Sequence, residues 1–240
     1  MLKVGITGGI GAGKSSISKK FNEYCGISVY DSDSASKNLV NFNSNIKKEI
    51  INLIGLPAYE TKTGFLNTLY VADKIFNDES LRLSLQKIVA PYLWDDFDKW
   101  CKNLIEQGYD KKYVLFESAI IIDSNLVSKF DSLIVVVAEQ EIRIERLIKY
   151  RNFSRESALK RIDAQISDSK RIKHANFIIH NDKDIADRNL KGDELEELLE
   201  KENKSSLSAI FYRRANTLKK RIEQIDHKIK YISYDTNKKR

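Results

Sequence analysis

The sequence predicts an α/β protein with a parallel, doubly wound sheet, and three observations predict it. The first is Gly8-Gly9-Ile10-Gly11-Ala12-Gly13-Lys14-Ser15, a G-x-x-x-x-G-K-S run set where an apolar stretch fit for a strand turns into a helix. The second is the alternation of short apolar runs with helical segments, which demands parallel crossover connections. The third is that the residues with chemistry to offer all follow strands: Gly8 to Ser15, Asp31 and Asp33, Glu117 and Ser118, and Asn181. In doubly wound sheets ligands sit at the strand C-terminal ends.

Taken in order, Leu2-Lys3-Val4-Gly5-Ile6-Thr7 is the first strand and Ser16-Ile17-Ser18-Lys19-Lys20-Phe21 opens the first helix. Between them the glycines let the backbone approach an anion closely, so that successive N–H groups and the helix N-terminus point at phosphates. Gly9, Gly11, Ala12, Gly13, Lys14, Ser15 and Ser16 are therefore the candidate nucleotide-binding residues. Lys14 reaches the β/γ oxygens as a point charge and the Ser15 hydroxyl holds Mg²⁺. A glycine-rich turn that only joined strand to helix would need no lysine and hydroxyl at that offset.

Ile27-Ser28-Val29-Tyr30 is a second strand, ending in Asp31-Ser32-Asp33. A long helical region from about Ser34 to Glu106 follows, broken at Gly55-Leu56-Pro57 and Thr61 to Gly64; Leu81, Leu85, Ile88, Val89, Leu93 and Phe97 repeat at helical spacing. Tyr113-Val114-Leu115-Phe116 is a third strand. Asp131 to Val137 is a fourth, with the continuous apolar run expected of a strand covered on both faces. A helix rich in Arg and Lys runs from Glu139, and Phe177-Ile178-Ile179-His180 is a fifth strand. The fold class is thus α/β, a P-loop three-layer α/β/α arrangement with a helical insertion.

Composition bounds the function classes. The charge of +7 and pI near 9.1 fit an anionic ligand or a lysine-rich solvated surface, and part of the excess belongs to the basic stretch from Lys201 to Arg240. Cys25 and Cys101 share no metal-like spacing and the histidines His174, His180 and His227 form no ligand cluster, so both thiols are expected reduced and packed, in a cytoplasmic protein. No apolar run approaches membrane-spanning length. A guanine-specific switch is excluded, because Asn181-Asp182-Lys183-Asp184 has the wrong order for Asn-Lys-x-Asp. Nucleic acid is not an expected partner, since only the basic tail suggests it.

The loop Ile6 to Ser15 together with Val29-Tyr30-Asp31-Ser32-Asp33 closely resembles the dephospho-CoA kinase family, P-loop enzymes similar to nucleoside-monophosphate kinases. Gly64-Phe65-Leu66-Asn67 and Ile75-Phe76-Asn77-Asp78 look like the family's G-x-L-x and I-F-x-D/N blocks. Arg151 with Arg161-Ile162-Asp163-Ala164-Gln165 looks like its lid, and Lys173 to Asn181 resembles its A-D-x-x-I-x-N. The likeness spans roughly residues 2 to 187. Departures are Ala90 before Pro91 where the family has His, Ala119 for Pro, Asp123 for Glu and Asn176 for Asp.

The resemblance implies ATP-dependent phosphorylation of the ribose 3′-hydroxyl of dephospho-CoA, the last step of coenzyme A synthesis, with ATP and Mg²⁺ as cofactors; the loop itself specifies phosphoryl transfer and not the acceptor, so another small-molecule or nucleoside-monophosphate-like kinase is the alternative. It implies a core of residues 1–33 and 108–187 with a lid at about 151–171, a helical substrate-binding domain at 34–107, and leaves 188–240 as a basic helical extension. It places the general base on Asp33, and makes Arg151 a lid arginine that contacts phosphate beside Arg146, with Asn181 in the nucleotide site. Asp31 stays open between a water-mediated Mg²⁺ contact and an N-cap. Arg143 and Lys149 are assigned to a solvated basic helix face. The aromatic residues Tyr92, Trp94, Phe97 and Trp100 are read as core before groove lining.

Beyond the resemblance, Phe211, Ala215, Leu218, Ile222, Ile225, Ile229 and Ile232 step by four and three, an apolar seam that must be covered. Packing on the parent core is the expected cover; oligomerisation through this helix is the other.

Overall fold

The computed structural model describes residues 1–76, 78–182 and 218–230. Asn77, Phe211, Ala215, Ile232 and the Lys183-Asp184 pair named above lie outside the described residues. The chain divides into two compact units, Met1–Val29 with Lys111–Arg240, and Tyr30–Asp110.

The first unit is built on strands β1 (Leu2–Gly8), β3 (Tyr113–Glu117), β4 (Ser132–Val137) and β5 (Phe177–His180), with β2 (Val29–Asp31) beginning in it. The sheet order is β2-β3-β1-β4-β5, and β1 pairs in parallel with both β3 and β4, and β4 with β5. β4 is buried along its whole length, as its continuous apolar run requires. The register sets Ile6 against Glu117 and Gly8 against Val136, so the β3 carboxylate and the loop after β1 emerge side by side. Asn176 starts the β4–β5 ladder: its Oδ1 accepts from the Leu133 N–H at 2.8 Å while its own N–H donates to Leu133 O. An aspartate would accept equally well, so the Asn for Asp departure is harmless to this turn.

Helix α1 (Lys14–Cys25) buries Ile17 and Phe21 and is bounded by two left-handed glycines, Gly13 and Gly26. Helices α6 (Gln140–Arg151), α7 (Arg155–Asp163) and the single-turn α8 (Asp168–Ile172) follow β4. Residues 218–230 form a further helix, α9, lying past the segment that resembles the family. Ile222, Ile225 and Ile229 of α9 join one core cluster with Ile17, Phe21, Tyr113 and Leu115, so over the described part the apolar seam is covered by the chain's own core. Asp226, almost buried, is satisfied by the Tyr113 hydroxyl at 2.9 Å and by Lys230 at 2.6 Å. Burial first, and then the Asp226 charge, push the Cys25 thiol up to about 11, so it packs protonated, as a small hydrophobe. Because Ile229 is fully buried, Ile229→Ala is expected to destabilise the fold by about 2–5 kcal/mol. Urea denaturation measures it, and a loss below about 0.5 kcal/mol would mean α9 does not dock.

The second unit holds α2 (Ser32–Phe42), α3 (Ser44–Ile54), α4 (Thr68–Phe76) and α5 (Glu79–Glu106). Ile46, Ile50, Ala58, Tyr59 and Val71 form its core, with Leu85, Ile88 and Val89 of α5 packed against them. Phe97 is fully buried and stacks near Trp100 and Tyr30, which makes it core. The Tyr30 hydroxyl donates to Asp96 at 2.5 Å; burial, then that carboxylate, push its phenol well above the usual range. The boundary between units falls within β2, between Val29 and Tyr30.

Asp31 is the N-cap of α2. Its side chain accepts from the Asp33 and Ser34 N–H groups at 3.0 and 3.1 Å and from the Ser34 hydroxyl at 2.6 Å. Partial burial raises its pKa, but these hydrogen bonds, with help from Lys37, outweigh burial and leave it below the ordinary carboxylate value. The folded value being the lower one, the cap's contribution is complete above the ordinary pKa and is lost as pH falls through the lowered one. Asp31→Ala is expected to cost about 1 kcal/mol at neutral pH, read from thermal or urea unfolding.

Candidate active site

The loop between β1 and α1 is where the sequence placed it. Gly13, the N-cap of α1, has φ 87° and offers no side-chain acceptor to the first N–H groups of the helix. An alanine there would be strained in the left-handed region and its methyl would run into Asn181 Nδ2. Within the loop Ala12 N–H donates to Gly9 O at 3.1 Å, closing a tight turn.

Ser15 and Ser16 are exposed in the first turn of α1, and the Ser15 hydroxyl donates to Glu117 Oε1 at 2.6 Å. This carboxylate, half-buried at the end of β3, was noted in the sequence only as one of several polar residues after strands. A hydroxyl and a carboxylate oxygen side by side at a phosphate loop are the donors a hard cation such as Mg²⁺ takes, its remaining positions going to water and nucleotide. Among the described residues no group of three or more His, Cys, Asp or Glu could hold a metal by itself.

The loop is braced from the α6 side. Asn181, held at the end of the β4–β5 ladder by its N–H to Val137 O, donates from Nδ2 to Ala12 O at 2.8 Å. Arg146 Nη1 approaches Gly11 O and Ala12 O at 3.4 Å each, long contacts that leave the guanidinium half-buried beside the loop. Arg143, assigned above to a solvated face, is instead 5% exposed and donates from Nε to Ile10 O at 2.8 Å. The correction has a physical reason: its neighbours Ile142, Ile144 and Leu147 are all buried, so α6 has no solvated face at that position. Burial holds its pKa below the usual arginine range, Asp168 opposing and Arg171 adding to the effect.

Lys14 is half-buried in the first turn of α1, and Arg151 is the last residue of α6 and exposed, with Lys149 exposed nearby. Gly9, Gly11, Ala12, Gly13, Lys14, Ser15, Ser16, Arg146 and Asn181 thus share one loop and its bracing. Asp31 and Asp33 belong to the other unit; Asp33, exposed in the first turn of α2, supplies its N–H to the Asp31 cap, which leaves its carboxylate outside that network.

A family model described as dephospho-CoA kinase matches residues 2–187. Dephospho-CoA kinase of Bacteroides fragilis (strain YCH46) is 34% identical over 181 residues, covering 75% of this chain and 85% of that one. That of Staphylococcus epidermidis (strain ATCC 12228 / FDA PCI 1200) is 32% identical over 199 residues, covering 83% and 94%. Among solved structures, a Thermus thermophilus protein has a TM-score of 0.64 at 22% identity, covering 83% of this chain and 97% of its own. A dephospho-CoA kinase from Campylobacter jejuni has 0.52 at 19%, covering 82% and 95%. These two likenesses concern the fold.

Proposed function

This chain belongs to the dephospho-CoA kinase family, and from that premise we propose that it transfers the γ-phosphoryl group of ATP to the ribose 3′-hydroxyl of dephospho-CoA. The observation that carries the reading is the phosphate loop with Ser15 hydrogen-bonded to Glu117, in a chain whose match to the family runs from the loop through Asn181.

The roles follow from charge and reach. Backbone N–H groups of Gly11 and of Gly13 to Ser15, at the α1 N-terminus, receive the phosphates, and Lys14 adds a positive charge at the transferring group. Ser15, its hydroxyl oriented by Glu117, would hold Mg²⁺, which when bound would neutralise charge on the phosphate oxygens. Asn181 and Arg146 keep the loop in place beside the nucleotide, and Arg151 supplies charge as the 151–171 lid segment closes and water leaves. Asp33 orients the acceptor hydroxyl and accepts its proton, while Asp31 caps α2. The 34–107 region serves as the acceptor-binding part. A cytoplasmic setting goes with ATP as donor and with free thiols at Cys25 and Cys101.

The test is an acceptor panel with ATP and Mg²⁺, read by ADP formation. Dephospho-CoA is expected to turn over while nucleoside monophosphates and shikimate do not. Turnover of a nucleoside monophosphate without dephospho-CoA would replace the proposed acceptor.

A further inference from the structure

We infer that Arg143, Gln165 and Asp168 are positioning residues that hold the tip of the phosphate loop, at Ile10, in the shape that receives the nucleotide; this rests on the kinase reading of the same loop. Ile10 lies between Gly9 and Gly11, two residues with the widest torsional freedom, so nothing in its own backbone fixes the tip. Three contacts from outside the loop do. Its N–H donates to Gln165 Oε1 at 2.8 Å, its carbonyl accepts from Arg143 Nε at 2.8 Å, and its side chain packs on the cluster of Ile144, Leu147, Ala158 and Ile162. Both polar groups of one residue are thus claimed, one by α6 and one by the turn after α7.

The clamp is itself fixed. Arg143 Nη1 pairs with Asp168 Oδ2 at 3.3 Å, and the other oxygen of Asp168 takes Arg171 Nη1, 1% exposed, at 3.0 Å. Nη2 faces Gly9, where any Cβ would collide with it, and a Cβ at Gly11 would meet the Arg143 backbone at 2.8 Å. The glycines flanking the tip therefore make room for Arg143, Gly9 for its guanidinium and Gly11 for its backbone. The bonds from Arg143 go to a backbone carbonyl and a carboxylate, which is a structural fork. A loop ordered before the nucleotide arrives binds it without the entropy loss of ordering the tip.

ATP affinity of the full chain, measured by calorimetry, tests the inference alongside the acceptor KM and the unfolding temperature without nucleotide. Gln165→Met keeps the shape and charge but removes the acceptor, and Arg143→Lys keeps the charge but not the fork. Each is expected to weaken ATP binding about tenfold, the scale of one lost hydrogen bond, with the acceptor KM unchanged. The double variant is expected to be little worse than the weaker single one, because both residues hold the same residue, Ile10. Gln165→Met binding ATP within about twofold of the parent overturns the inference, and so does a loss confined to Arg143→Lys, which would mean that the guanidinium contacts the nucleotide directly. Should Arg143→Lys not fold, Gln165→Met decides alone. A parent chain that binds no ATP overturns the kinase reading itself.

Discussion

Lys14→Ala is expected to lower kcat by about 10²–10³-fold and to raise the KM for ATP as well, the range seen when one group stabilising transition-state charge is lost. Lys14 opens α1, the helix whose N-terminus carries no capping side chain, so on the proposed reading its charge and the N–H groups of the first turn act on the same phosphates. In a loose phosphoryl-transfer transition state the charge lies on the equatorial oxygens, and the protein contributes mainly position and countercharge. Both ground and transition states touch the lysine, which is why both constants move. Steady-state kinetics over ATP concentration, with calorimetric binding of the variant, separate the two effects. A raised KM with kcat intact would assign Lys14 to binding alone.

Asp33→Asn is expected to cut kcat by about 10²-fold or more while ATP affinity holds. The substitution keeps the size and one acceptor oxygen but removes the charge that we propose receives the hydroxyl proton. The neighbouring Asp31 provides the contrast: its oxygens already take three hydrogen bonds as the α2 cap, and Asp31→Ala is expected to act on stability. Turnover retained in Asp33→Asn and abolished in Asp31→Asn would exchange the two roles.

Local features of the chain were readable before any coordinates. The G-x-x-x-x-G-K-S run needs only eight consecutive residues, and β4 declares itself by six in a row that can all be buried. The isoleucine seam of α9 likewise repeats at a fixed spacing, though its cover, the core of α1 and β3, could only be expected. What escaped depends on partners far along the chain. Glu117 acquires meaning from Ser15, 102 residues earlier, through the β1–β3 register. Arg143 was read by its charge as solvated, although it stands four residues before Leu147 on the apolar side of α6; that spacing was the available signal. Its carbonyl partner Ile10 lies 133 residues away, and no periodicity reports such a contact. Gln165 was placed in the lid motif for its position, while its bond to the loop tip is again a matter of tertiary packing. The split inside β2, which puts Asp31 and Asp33 with the helical unit, was also beyond composition, since nothing in Val29 to Asp33 marks a boundary.

The central claim is transfer from ATP to one particular hydroxyl, and the site of phosphorylation in the product tests it most directly. The chain is incubated with dephospho-CoA, Mg²⁺ and ATP carrying a labelled γ-phosphate, and the product is examined by phosphorus NMR. The account predicts one new phosphomonoester on the ribose 3′ oxygen, carrying the label. Label on the 2′ oxygen, or none on dephospho-CoA while ATP is consumed, would contradict it.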